Sequence, residues 1–226
     1  MTLLRNLLYY PVFYIGSPIL VLIAMPIMFI NAEAYRKWVR IWARFHHWCL
    51  KNLLGIHIEM EGGPIEGPAL YVFKHESMLE ALDLPRIFEY PAPFAKQEMF
   101  DLPGWGLVAE RYGCVPVARN QGAKALRKMV AAARERSSQG RELVLFPEGT
   151  RIPHGTVAPL RPGFAGLYKL LHLPIVPVAV NSGPLYHRWI KQPGTITYKF
   201  GETIPPGLPR AEVEKKVEQA LNALNS

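Results

Sequence analysis

The chain has 226 residues, half of them hydrophobic and 21 of them proline, a length that suits one compact domain plus an appendage. Lysine and arginine total 26 against 18 acidic residues; the formal charge of +8 points to an anionic partner, such as nucleic acid, an anionic surface or a phosphorylated small molecule. The only two cysteines, Cys49 and Cys114, exclude a disulfide framework and suit a reducing compartment, and no paired Cys/His set has metal-ligand spacing.

Arg5 and Glu33 bracket an uncharged, strongly apolar stretch over residues 6–32. At about 1.5 Å per residue it is long enough to cross a bilayer as one helix. Pro11, Pro18 and Pro26 work against a straight span, since each removes a backbone donor. A broken or re-entrant hairpin in one leaflet is therefore an equal expectation. Over residues 32–54, Tyr35, Trp38, Val39, Trp42, Phe45, Cys49, Leu50 and Leu53 recur at helical spacing. Arg36, Arg40, Arg44, His47 and Lys51 fall mainly on the other side, with Asn31 as cap and Gly55 as stop. Tryptophans on one face and cations on another predict a helix lying in a lipid headgroup layer, the alternative being a core helix with a solvated basic face. A cleaved signal peptide ending near Ala32-Glu33-Ala34 is set aside, because the apolar region is too long and too interrupted by proline. The basic residues after the stretch place the remainder of the chain on the cytosolic face of a cytoplasmic membrane. Residues 1–54 thus read as a membrane-anchoring segment with an amphipathic basic helix, and 55–226 as the working domain.

In that domain Ile56, Ile58 and Met60 alternate with His57, Glu59 and Glu61, a half-buried strand ended by a Gly62-Gly63-Pro64 turn. Further strands are expected at 69–73, 93–95, 114–117, 143–146, 175–180 and 195–200. Helical patterns lie between them; the clearest has Asn120 as cap, Leu126, Met129, Val130 and Ala133 on one face and Gly140 as stop, and another runs from Arg210 onward. The fold class is α/β, a mixed sheet covered by helices, with function collected in loops at strand ends.

After the second strand comes Lys74-His75-Glu76-Ser77-Met78-Leu79-Glu80. Histidine is the side chain best suited to take a hydroxyl proton near neutral pH, and a carboxylate on its other nitrogen fixes the tautomer. Five residues on a regular helix fall about 140° apart, so His75 and Glu80 meet only if His75 precedes the helix. After the fifth strand comes Pro147-Glu148-Gly149-Thr150-Arg151: a glycine for a tight turn, a hydroxyl, and a planar fork suited to phosphate.

The two motifs together, His-x4-acid followed by Phe-Pro-Glu-Gly-Thr-Arg, resemble the glycerolipid acyltransferase family, closest to its bacterial 1-acyl-sn-glycerol-3-phosphate acyltransferases. Lys96-Gln97-Glu98, Pro103, Gly106 and the run from Gly113 to Arg119 are similar to the family's second block. Leu173-Pro174-Ile175-Val176-Pro177-Val178-Ala179 is similar to its fourth. The four blocks stand in the right order over roughly residues 55–205. One departure is Glu80, where the commonest form of the family has Asp; Asp83 is a second carboxylate in reach.

The resemblance implies direct transfer of a fatty acyl group from acyl-CoA or acyl-carrier protein to the sn-2 hydroxyl of lysophosphatidic acid, giving phosphatidic acid in phospholipid synthesis. His75 is then the general base and Glu80 its partner. Glu148, Gly149, Thr150 and Arg151 hold the acceptor, Lys96 and Arg119 are further phosphate ligands, and Arg161 is a weaker one. No metal or redox cofactor is implied, and no Gly-x-Ser-x-Gly nucleophile motif is present. Ser77 reads as a helix-start residue, and the basic helix over 124–136 as a solvated face or a carrier-binding one. Other lysolipids, such as lyso-ornithine lipid, are alternative acceptors, and an inactive lipid-binding member of the fold is a further reading. Nucleic acid is set aside, since the cations lie largely on the N-terminal helix and no recognition motif is present.

Overall fold

The computed structural model describes residues 1–102, 104–118 and 122–225. Each stretch with strand patterning becomes a strand: β1 (Ile56–Glu61), β2 (Leu70–Phe73), β3 (Ala92–Lys96), β4 (Val115–Val117), β5 (Leu143–Leu145), β6 (Ile175–Val180) and β7 (Gly194–Phe200). They form one mixed sheet in the order β1-β7-β6-β2-β5-β3-β4. β6, β2, β5, β3 and β4 run parallel, while β7 is antiparallel to β6 and parallel to β1. Every residue of β2 and β6 is buried, as expected for continuous apolar strands covered on both faces. β1 departs from its predicted alternation. It is an edge strand, and past Ile56 its inward face runs out of cover, leaving Met60 38% exposed.

Parallel pairing brings the carboxyl ends of β6, β2, β5, β3 and β4 to one edge of the sheet, and the chemistry-bearing loops follow those ends. The connecting helices are α3 (Leu79–Ile87), the short α4 (Gln97–Phe100), α5 (Trp105–Tyr112), α6 (Gly122–Ser138), α7 (Gly163–Leu171), the short α8 (Gly183–Tyr186) and α9 (Arg210–Leu221). Asn120, expected to cap α6, lies outside the described residues.

Ahead of the sheet stand α1 (Thr2–Ile30) and α2 (Ala32–Cys49), the latter closed by a π-helical turn at Leu50–Leu54. α1 runs unbroken through Pro11, Pro18 and Pro26. The break comes at Asn31, whose extended backbone stops α1 while its side chain accepts the Glu33 and Ala34 N–H groups at 2.9 and 3.0 Å to start α2. Gly55, at φ 72°, ends the second helix as the sequence predicts.

The chain then folds back on itself. Trp42 Nε1 donates to Ser17 Oγ at 2.6 Å, Trp38 Nε1 to the Leu20 carbonyl at 2.7 Å, and Arg5 to the Leu54 carbonyl at 3.2 Å. This corrects the headgroup-layer expectation at Trp38 and Trp42, which face α1 and so satisfy their indole N–H groups, while Trp48 stays 50% exposed. Of the expected cations, Arg36 stacks 3.8 Å over the Tyr90 ring and Arg40 donates to the Glu89 carbonyl, whereas Arg44 and Lys51 are exposed. The apolar surface left outward belongs to α1, where Leu3, Leu7, Ile15, Leu22 and Ile30 are exposed.

The inner side of the hairpin belongs to the main core. Tyr9, Phe13, Cys49, Leu50 and Leu54 are buried in one cluster with Phe73, Val178, Ile196 and Tyr198. Each such side chain contributes about 1.5–3 kcal/mol when fully buried. A variant lacking residues 1–54 is therefore expected to lose cooperative folding rather than yield a soluble working domain. Thermal melting in detergent, with limited proteolysis, checks this; a sharp transition close to that of the full chain would refute it.

Candidate active site

His75 leaves the end of β2 four residues before α3 begins, so the geometric condition set by the sequence is met. Its Nδ1 lies 2.9 Å from Glu80 Oε2. Glu80, in the first turn of α3, is fully buried, whereas the His75 side chain keeps 18% of its exposure. The ring packs 4.3 Å from that of Phe146, the residue after β5. With Nδ1 committed to Glu80, Nε2 is the nitrogen left for a substrate.

The remaining sites on the Glu80 carboxylate are also filled. Oε2 accepts the Ser77 N–H at 2.9 Å, and Oε1 takes a hydrogen bond from Ser182 Oγ. Ser77 Oγ accepts the Leu79 N–H at 3.1 Å and lies 2.7 Å from Ser182 Oγ. Ser77 Oγ also donates to Glu80 Oε1 at 3.1 Å, so both serine hydroxyls converge on that oxygen. Ser77-x-x-Glu80 is thus a close relative of a capping box, with the glutamate both reaching back to the chain before the helix and holding the imidazole. The extra methylene relative to Asp supplies that reach.

Asp83 has a different partner. It is buried and gripped by Arg86 through two hydrogen bonds of 2.6 Å, on the next turn of the same helix. Glu80→Gln is accordingly expected to lower kcat by more than ~10-fold, with Asp83→Asn costing stability but sparing turnover of the folded fraction. Rates normalised to folded protein test this, and an inactive but folded Asp83→Asn beside a normal Glu80→Gln would reverse the assignment.

Glu148 lies beneath the loop that follows β5. It is buried, with Oε1 2.8 Å from Lys74 Nζ and Oε2 accepting the His75 N–H at 3.2 Å. Lys74 completes its three donations with the Thr156 carbonyl at 2.9 Å and Asn222 Oδ1 at 3.0 Å. Gly149 turns the chain at φ 69°, where a side chain would be strained. The Ile152 N–H donates to the His75 carbonyl at 2.7 Å, pinning the loop against the histidine. Thr150 and Arg151 are exposed, and among the described residues the Arg151 side chain has no hydrogen-bond or ion-pair partner. Lys96 is exposed at the end of β3, two strands from β2 and so about 10 Å across the sheet. Arg161 donates to the Glu148 carbonyl at 3.2 Å and thereby braces the loop. Arg119 and Pro103 lie outside the described residues.

Sequence reasoning missed Ser182, Lys74 and a second histidine–carboxylate pair, His154 Nδ1 to Glu76 Oε1 at 2.9 Å. Ser182 and His154 come from loops 102 and 78 residues away from their partners. Local pattern carries no trace of such pairings. Lys74 carried one readable hint, a cation placed directly between a buried strand and a histidine.

Comparison with known proteins agrees with this geometry. An acyltransferase family model matches residues 55–181, more than half of the chain and the part that holds both loops. The 1-acyl-sn-glycerol-3-phosphate acyltransferase of Pseudomonas aeruginosa is 30% identical over 195 residues, 84% of this chain and 73% of that protein. The enzyme of the same name from Limnanthes alba is 31% identical over 68% of this chain and 56% of that protein. The human 1-acyl-sn-glycerol-3-phosphate acyltransferase beta is 27% identical over 70% of this chain and 59% of that protein. The crystal structure of the 1-acyl-sn-glycerophosphate acyltransferase PlsC from Thermotoga maritima superposes with a TM-score of 0.77. That likeness covers all of this chain and 96% of the other at 23% identity, and it shows a shared fold including the N-terminal hairpin region. With the family model spanning the imidazole–carboxylate pair and the phosphate-type loop together, the chain belongs to the acyltransferase family and is an acyl-transfer enzyme.

Proposed function

We propose that this enzyme transfers a fatty acyl group from the thioester of acyl-CoA or acyl-carrier protein to the sn-2 hydroxyl of lysophosphatidic acid, giving phosphatidic acid for phospholipid synthesis. The observation that carries the reading is an oriented imidazole, His75 on Glu80, pinned through Ile152 to the loop that carries the exposed Arg151. The acceptor in the relatives' names supports the choice of lysolipid.

In this reading His75 Nε2 takes the proton of the acceptor hydroxyl as its oxygen attacks the thioester carbonyl. Glu80 keeps the proton on Nδ1 and stabilises the imidazolium as it forms. The tetrahedral intermediate then expels the carrier thiolate, and the proton held by His75 returns to solvent or to that sulfur. Donor and acceptor are the only reactants needed, so no metal or cofactor enters the scheme. Arg151, with Lys96 and Arg119, holds the acceptor phosphate. Gly149 and Thr150 shape the loop, and Glu148 positions it from below, since its two oxygens are taken by Lys74 and the His75 backbone.

The outward face of α1 gives the membrane contact, with its leucines and isoleucines in the acyl region of one leaflet and the active site open to the cytosolic side. Such a placement lets the lysolipid present its glycerol hydroxyl without leaving the bilayer.

A terminal phosphate monoester makes charge-assisted hydrogen bonds that a choline-capped phosphodiester reproduces only in part. Each is worth roughly 1.5–3 kcal/mol, or about tenfold to over a hundredfold in specificity. The wild-type enzyme is expected to prefer lysophosphatidic acid over lysophosphatidylcholine by that margin, and Arg151→Ala to shrink the preference by weakening use of lysophosphatidic acid. Specificity constants for both acceptors are the measurement. Equal use of both lipids by the wild type, or equal losses in the variant, would remove this role from Arg151 and reopen the acceptor. Including lyso-ornithine lipid in the acceptor panel shows where it would go.

A further inference from the structure

Beside the pair assigned to proton transfer stands a second imidazole–carboxylate pair. Glu76 directly follows His75, and its carboxylate is buried. Oε2 accepts the Gly183 N–H at 2.8 Å, and Oε1 lies 2.9 Å from His154 Nδ1. Ser182 and Gly183 are consecutive, and each holds one carboxylate, Ser182 that of Glu80 and Gly183 that of Glu76. The two pairs are therefore fixed side by side by a single backbone step. The step is tight: a Cβ on Gly183 would fall 3.0 Å from Glu76 Oε2 and 3.3 Å from His154 Cβ.

His154 lies three residues beyond Arg151, on the loop already pinned to His75 through Ile152. Its side chain keeps 24% of its exposure while that of Glu76 has none, so the ring edge away from Glu76 faces solvent. With Nδ1 engaged by Glu76, Nε2 is the ring nitrogen left for a ligand. Burial pushes the Glu76 carboxyl up, and the His154 interaction works against that rise.

Resting on the acceptor reading above, we propose that His154, oriented by Glu76, determines specificity by hydrogen bonding from Nε2 to the acceptor's phosphate monoester. Phosphate capture and proton abstraction would then use two neighbouring imidazoles with separate carboxylates.

The test is steady-state kinetics of the full-length protein in mixed micelles, with lysophosphatidic acid and lysophosphatidylcholine as acceptors. His154→Gln is expected to raise KM for lysophosphatidic acid by ~10-fold or more, with kcat within about twofold and lysophosphatidylcholine unaffected. His154→Lys, which places a hydrogen-bond donor at the position, is expected to recover much of the lost preference.

A drop in kcat at unchanged KM, an equal loss on both lipids, or a folded His154→Lys that recovers nothing would overturn the proposal. Arg151→Ala separates its failure from that of the acceptor reading. If Arg151→Ala abolishes the preference and His154→Gln leaves it intact, only the role of His154 falls. If neither variant changes it, the phosphate-bearing acceptor falls as well.

Discussion

Replacing His75 with alanine is expected to lower kcat by about 10²–10⁴-fold, the usual loss when a positioned base is removed, while leaving the fold in place. The separation of the two effects follows from how the residue is held. Its backbone N–H bonds to Glu148 and its carbonyl accepts from Ile152, and neither contact needs the imidazole. Among the described residues the side chain itself is tied only to Glu80 and packed on Phe146. Once it is gone, Glu80 keeps the Ser77 N–H and the Ser182 hydroxyl, so the carboxylate is not left without partners. Thiol release from acyl-CoA reads the rate and thermal melting reads the fold. A well-folded variant with a near-normal rate would remove the base from His75 and, with it, the mechanism. Substitution of Ser182 is the companion case, since Ser182 touches Glu80 and not the substrate. It is expected to shift the pH profile of kcat without raising KM for either lipid.

What the sequence discloses and what it hides divide along a physical line. The strands were legible because the burial of β2 and β6 on both faces demands unbroken apolar runs such as Leu70–Phe73 and Ile175–Val180. Asn31 and Gly55 were legible because helix ends are set by local backbone chemistry. His75 and Glu80 were legible as a pair, and the condition for their meeting was a matter of helix geometry. Long-range partners were not legible. Periodicity in α2 identified an apolar face but not what covers it; the covering element is α1, so Trp38 and Trp42 point into the protein. Likewise residues 1–54 carry an anchor's composition, yet Tyr9, Leu50 and Leu54 share the core of the sheet. Composition reports the solvent a segment tolerates, and tertiary packing decides which of its faces meets it.

Glu148 is the sharpest instance, and its substitution carries the largest expected effect on stability. Its motif neighbours point outward, so the sequence places it with them on the substrate. The fold turns it inward onto Lys74, with side-chain exposures of 2% and 0% for the two partners. Removing one member of such a pair leaves a buried charge uncompensated, which costs about 3–5 kcal/mol. Lys74→Met is therefore expected to destabilise the protein by that amount, and it also frees the Thr156 carbonyl and Asn222 from the loop and the end of α9. Adding Glu148→Gln in the same chain removes the stranded charge and is expected to recover most of the stability. It should not restore turnover, because without Lys74 nothing orients the side chain that accepts the His75 N–H. Chemical unfolding of the single and double variants gives the first result. Measuring kcat and KM on the refolded double variant gives the second, expected as a low kcat with KM for lysophosphatidic acid close to wild type. A raised KM at normal kcat would return Glu148 to the substrate. A Lys74→Met variant within ~0.5 kcal/mol of wild type would show that the pair does not hold the loop.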